Sequence, residues 1–197
     1  MKVHTAFAFS AVAGLAALTM VGLFPQRSAA QPAAQEAESR AAFAVVATVI
    51  GSPRCQGCHT QSEFPRQGDD QHRHLFNVMR GPDDGGALGL PCTTCHGQAN
   101  NAASGVPGAD EAWRLAPISM GWEGLTTADI CRHLKDPVHN GRRIGEQVVD
   151  HLRTGLVKWA WSPGTDAHGR ARTTPSVPYF DFIAAAEMWV QTGEACP

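Results

Sequence analysis

Cys55-Gln56-Gly57-Cys58-His59 and Cys92-Thr93-Thr94-Cys95-His96 decide how this chain is read. Each is C-x-x-C-H, and the spacing has a physical meaning. On one helical turn, positions i, i+3 and i+4 point the same way. Two thiols so placed reach the two vinyl groups of one haem, and the adjacent histidine reaches its iron from the same side. This is the haem attachment signature. Cys55, Cys58, Cys92 and Cys95 are therefore read as the thioether donors of two covalent haems c, with His59 and His96 as the proximal iron ligands. Two other chemistries use C-x-x-C pairs. Two pairs together make a tetrathiolate zinc site, but that site does not need the histidine that follows each pair. A redox pair of the thioredoxin type does not account for the same histidine twice.

The N-terminus points to export. Met1-Lys2-Val3-His4 is a short basic start, Thr5 to Phe24 is an uncharged and mostly apolar run, and Ser28-Ala29-Ala30 has the small residues a signal peptidase cuts after. Residues 1–30 are read as a signal peptide. The alternative is a retained anchor on the outer face of the inner membrane, since the run is long for a signal core. Export places the chain in an oxidising compartment, the periplasm, where cysteines are bridged or taken up by cofactors. Cys131 and Cys196 are left over, and parity pairs them as a disulfide; two free buried thiols are the alternative.

The remainder of the chain reads as all-α, with short helices and long Gly/Pro-rich loops wrapped around the two haems in the manner of a cytochrome c. It has 197 residues, 20 Gly, 13 Pro and a single Tyr, with 17% charged residues and a net charge of −2. That charge offers no basic field to nucleic acid. Residues 31–40 read as an Ala-rich linker and 41–197 as the dihaem domain. Within the domain, Ala41 to Ile50 is a short buried helix. Asp69 to Arg80 is a helix capped by Asp69 or Asp70 and stopped by Gly81-Pro82. Thr126 to Asp136 is a helix with a capping box at Thr126 and Asp129, and Arg143 to Thr154 and Tyr179 to Thr192 are two more. Leu156 to Trp161 is the one stretch with some strand character.

A second axial ligand completes each iron unless the site is open. His74 or His72, on the predicted helix between the two haem sequences, are candidates, with His74 at the favoured spacing before Cys92. Met120, in Leu115-Ala116-Pro117-Ile118-Ser119-Met120-Gly121-Trp122, is a candidate because a Pro-containing loop often presents the distal thioether; core filling is its other reading. Met79 and His151 are weaker candidates. Met188 reads as core, His139 and His168 as exposed loop residues, and His133 has no evident place. Bis-histidine ligation favours a low potential, and His/Met ligation raises it. Tryptophans 113, 122, 159 and 161 suit packing on a porphyrin, and equally an ordinary core.

Taken together, the residues resemble a family. The pattern includes His72-x-His74, Asn77-Val78-x-Arg80-Gly81, Cys92-x-x-Cys95-His96, Leu115-Ala116-Pro117-x-Ser119-Met120-x-Trp122 and Cys131-Arg132-x-Leu134-Lys135-Asp136-Pro137. It continues through Asn140-Gly141 and Leu156-Val157-x-Trp159-x-Trp161-x-Pro163-Gly164 to Cys196-Pro197. It resembles the small group of bacterial cytochrome-like proteins labelled isoquinoline 1-oxidoreductase subunit, over most of the chain after residue 52. The resemblance implies an electron-accepting subunit beside a molybdenum hydroxylase. It also supports the haem cysteines and histidines, and His72 or His74 and Met120 as ligands.

The function these readings favour is electron transfer. A periplasmic dihaem cytochrome c accepts electrons from a dehydrogenase or a respiratory complex and passes them on. The alternatives are a small dihaem oxidoreductase, peroxidase-like or thiosulfate-type, with one open haem, and a haem-bearing subunit of a larger membrane-associated complex. No catalytic residue is evident beyond the haem ligands.

Overall fold

The computed structural model describes residues 30–99, 108–109 and 113–197. The predicted signal segment, except Ala30, and residues 100–107 and 110–112 lie outside them.

Two helices far apart in sequence make the central contact. Helix α1, Ala30–Ile50, packs along α6, Tyr179–Gln191. Phe43, Val46, Val49 and Ile50 are buried from one side, and Phe182, Ile183, Ala186 and Trp189 from the other. Phe43 and Trp189 meet with ring centroids 5.2 Å apart. Residues 31–40 differ from the predicted linker, because the helix begins at Ala30 and runs through them. Alanine and glutamate favour helix, and Glu36 and Arg40 pair one turn apart at 2.5 Å. Tertiary contact then holds the segment. The fully buried Ser39 hydroxyl donates to the Trp189 carbonyl and accepts from the Ala195 amide at 2.9 Å.

Three further helices close the same core. Helix α3, Thr127–Lys135, starts on a reciprocal cap, in which the Asp129 amide donates to Thr126 Oγ1 and the Thr126 amide to Asp129 Oδ2. Helix α4, Gly145–Leu152, buries Val148 and Val149. Asn140, 1% exposed, ties these two together: its side-chain amide donates to the Leu134 and Arg143 carbonyls and its oxygen accepts from the Arg143 amide. Helix α5, Gly155–Lys158, runs into a tight turn at Trp159–Trp161, so Leu156 to Trp161 is helical and not a strand. A Cys131–Cys196 disulfide spans 65 residues and fastens α3 to the C-terminus.

Residues 57–99 form an irregular lobe. The short helix α2, Pro53–Gln56, leads into it. It contains two antiparallel ladders of two residues each: β1, Arg66–Gln67, with β2, His72–Arg73, and β3, Gly86–Ala87, with β4, Leu90–Pro91. The helix predicted over residues 69–80 does not form. Asp69 instead pairs with Arg54, and Gln71 turns its side chain onto the Pro53 and Gly68 carbonyls. Leu75 and Phe76 are consequently exposed, and the apolar stripe that suggested a helix has no surface to pack on.

Arg80 organises this lobe from inside. It is 5% exposed, pairs with Asp84 at 2.5 Å and donates to the carbonyls of Thr60, Ser62 and Ala116. One guanidinium thus supplies the donors that a helix or sheet would supply. Gly81 has φ +71°, and a Cβ there would lie 1.9 Å from the Gly86 carbonyl oxygen, so no other residue fits.

Candidate functional site

Both C-x-x-C-H sequences fold into the same turn. The His59 amide donates to the Cys55 carbonyl at 3.0 Å, and the His96 amide to the Cys92 carbonyl at 3.0 Å. Each is a helical i to i+4 closure, which puts two thiols and one imidazole on one side.

The first turn opens on a cavity of about 450 Å³. Val46, Ile50, Leu134, Val148, Leu156 and Phe182 are among the apolar side chains that line it, and Cys55, Cys58 and His59 stand in its wall. The His59 ring is fixed from two directions. It stacks on Trp122, with centroids 3.5 Å apart and planes 6° from parallel. Its Nδ1 lies 2.9 Å from the Met120 carbonyl oxygen. A carbonyl only accepts, so Nδ1 carries the hydrogen and Nε2 keeps its lone pair for a metal. Burial pushes the imidazole pKa down to about 4, against the hydrogen bond to Met120, with His151 and Arg143 pushing the same way as burial. His59 is therefore neutral at pH 7, which is the ligating form.

Burial holds Cys55, Cys58 and Cys92 in the thiol form. Burial raises Cys55 to about 11, and burial together with Cys55 and Cys92 raises Cys58 to about 12. Burial raises Cys92 as well. Metal-binding and redox cysteines are normally pulled the other way, toward thiolate. Cys55, Cys58, Cys92 and Cys95 carry no disulfide. Among the described residues no group of three or more His, Cys, Asp or Glu side chains is arranged around one metal position. The two pairs are thus not gathered as a tetrathiolate zinc site.

Haem suits the cavity on the chemistry of its lining. The walls are mostly apolar, yet two buried donors there have no hydrogen-bond partner: Nε of Arg54, whose Nη2 pairs with Asp69 at 2.5 Å, and Nε1 of Trp159. A flat apolar group that carries carboxylates would satisfy both kinds of lining at once. A cavity of this size is in the usual range for small-molecule and cofactor sites. Cys55, Cys58 and His59 would hold the group covalently and at its iron.

The structure sorts the distal candidates by place. His151 lines the cavity with His59, near enough that its charge is felt there. Met120 also lines the cavity, but its carbonyl sits on the Nδ1 side of His59, behind the ligating nitrogen, and its Sδ rests against Gly141. His74 stands by the second turn. Its ring centroid is 6.2 Å from that of His96, with planes 64° apart. That gap admits one metal ion bound about 2 Å from a nitrogen of each ring. Nδ1 of His74 donates to the Leu75 carbonyl at 2.8 Å and leaves Nε2 free to ligate. His72 is placed elsewhere: it is exposed, and its Nδ1 meets Asp70 at 2.5 Å. Met79 contacts Arg73, with 3.0 Å between the sulfur and a guanidinium nitrogen.

The other candidates lie off both sites. His133, in the last turn of α3, and His139, just beyond it, stack at 4.3 Å, with His139 Nδ1 2.6 Å from Asp136. His168 is exposed in the turn that Asp166 caps. Met188, expected in the core, is 39% exposed on the outer side of α6.

Some organising residues carry no strong sequence signal. Arg80 and Glu123 act through carbonyls and hydroxyls distant in the chain. Glu123 accepts from Thr60 Oγ1, the Gln61 amide and Arg66 Nε, and so holds the segment after His59 beside Trp122. Trp113 lies 4.0 Å from the His96 ring and 4.9 Å from Trp159, centroid to centroid. Compared with known protein families, with curated proteins and with solved structures, the chain matches none.

Proposed function

We propose that this chain is a c-type cytochrome that holds two covalent haems and transfers electrons. One observation carries the reading: two C-x-x-C-H turns of the same geometry, the first facing an apolar cavity beside a neutral, hydrogen-bonded His59. When bound, haem supplies an iron that cycles between ferric and ferrous. The chain supplies the rest. Cys55, Cys58, Cys92 and Cys95 attach the two groups, and His59 and His96 ligate them from the near side. His151 is the proposed sixth ligand at the first site and His74 at the second. Two nitrogen ligands at each iron favour low potentials and leave no open position for peroxidase-type chemistry.

The proposed setting is the periplasm. The disulfide between Cys131 and Cys196 suits an oxidising compartment. No helix among the described residues is long and apolar enough to cross a membrane. The proposed partner is a redox protein, either a dehydrogenase, such as a molybdenum hydroxylase, or a respiratory complex.

The test is expression of the full chain in a periplasm with a haem-maturation system, followed by a pyridine haemochrome assay and oxidised and reduced spectra. Two haems per chain, low-spin in both states and unreactive to carbon monoxide, are expected. A colourless protein that binds zinc through the cysteines would overturn the reading.

A further inference from the structure

We propose that Trp113 and Trp159 form the junction through which the two haem sites exchange electrons; the proposal rests on the dihaem reading. The contacts are continuous. The His96 ring lies 4.0 Å from Trp113, tilted by 35°, and Trp113 meets Trp159 edge-on at 4.9 Å. Trp159 in turn is part of the wall of the first cavity, with Cys58 and His59. A path of packed rings therefore leads from the proximal histidine of the second site into the first site.

The backbone holds the path in place. The segment after Trp113 is pegged to the irregular lobe at two points, since the Leu115 amide donates to the Asp84 carbonyl and the Ala116 amide to the Cys58 carbonyl. Trp113 is 8% exposed.

A second observation marks the junction as a surface that faces a ligand. Nε1 of Trp113 and Nε1 of Trp159 are both buried and have no hydrogen-bond partner. An indole N–H can only donate, and buried donors are almost always paired. Two unpaired donors on rings in contact call for acceptors that the chain does not supply, and a haem carboxylate is one. The step is the movement of one electron between two iron centres. One centre is oxidised as the other is reduced, with no bond made or broken and no proton released.

The experiment uses the haem-loaded full chain and four variants, Trp113→Leu, Trp159→Leu, Trp113→Phe and Trp159→Phe. Haem per chain, the two midpoint potentials and the rate of equilibration between the haems after flash photoreduction are read in each. Two haems per chain are expected throughout, since the thioethers retain them. The Leu variants are expected to slow the exchange at least about tenfold, the change that about 1.4 kcal/mol of barrier produces. The Phe variants keep a ring and lose the N–H, so they are expected to stay within about threefold of the parent rate and to lower one midpoint potential. Parent rates in both Leu variants with both haems present would overturn the proposal. If a Leu variant does not fold, unchanged potentials in both Phe variants would overturn it. A chain without haem would overturn the cytochrome reading itself, and the haem assay distinguishes that failure from this one.

Discussion

Nδ1 of His59 lies 2.9 Å from the backbone carbonyl of Met120. The two nitrogens of an imidazole point away from each other, so Met120 stands behind the ring when Nε2 faces iron. His151 lines the same cavity as His59, and it is the residue proposed for the sixth position in place of the Met120 thioether. Met120→Leu is expected to leave both haems low-spin, with no loss of a far-red band. His151→Leu is expected to convert one of the two haems to a high-spin form that binds carbon monoxide. The opposite pattern would return the sixth position to Met120.

Arg80 offers a test of the irregular lobe. Its guanidinium is ion-paired and spends its remaining donors on three carbonyls. Arg80→Leu leaves those carbonyls and Asp84 without a partner inside the protein, a loss of about 3–5 kcal/mol by analogy with broken buried pairs. Chemical denaturation of the variant should show this. Arg80→Lys should recover only part of it, because an ammonium cannot reach as many acceptors.

Glu123 makes part of the stability depend on pH. Burial pushes its carboxyl up, but the hydrogen bonds from Thr60, Gln61 and Arg66 outweigh burial and hold its pKa below the ordinary 4.5. A carboxylate with a lowered folded pKa stabilises the fold fully above the unfolded value, and that stability is lost as pH falls through the folded value. Glu123→Gln is therefore expected to cost about 1–2 kcal/mol at pH 7. The difference from the parent should shrink steadily below pH 4.5. A difference that stays constant down to acid unfolding would show that the charge contributes nothing.

The Cys131–Cys196 bridge closes 65 residues. In the chain-entropy model such a closure stabilises by about 4 kcal/mol. Cys131→Ala with Cys196→Ala should lower the unfolding midpoint accordingly and leave the haem spectra unchanged, since neither cysteine lines the first cavity.

Ser39 tests whether the segment before residue 41 belongs to the fold. Its hydroxyl joins the Trp189 carbonyl to the Ala195 amide in the core. Ser39→Ala strands the Ala195 amide, while the Trp189 carbonyl keeps the Glu194 amide, and is expected to cost about 1–3 kcal/mol. A neutral effect would mark residues 31–40 as an accessory arm.

Features that depend on a few consecutive residues were legible in the sequence. Two cysteines and a histidine at i, i+3 and i+4 need only one turn to point together, and that turn forms at both places. The Thr126–Asp129 cap and the helix behind it close within four residues, and Pro137 and Gly193 stop α3 and α6. Features that depend on a partner far along the chain were not legible. Residues 31–40 carry no long apolar stripe, and it is Trp189 and Ala195, about 150 positions away, that hold Ser39 in a helix. Residues 69–80 have a helical period, yet Arg54 and the Pro53 carbonyl draw off Asp69 and Gln71, and Arg80 satisfies carbonyls elsewhere. The same holds for the sites. The sequence by itself placed two cysteines and a histidine on one turn at two places, and these are the residues proposed to attach haem. Only the tertiary structure decided that His151 shares a cavity with His59, that the His74 and His96 rings lie 6.2 Å apart and that Trp113 packs between His96 and Trp159. A turn is specified by its own few residues, whereas a cavity is specified by whatever the whole chain packs around it.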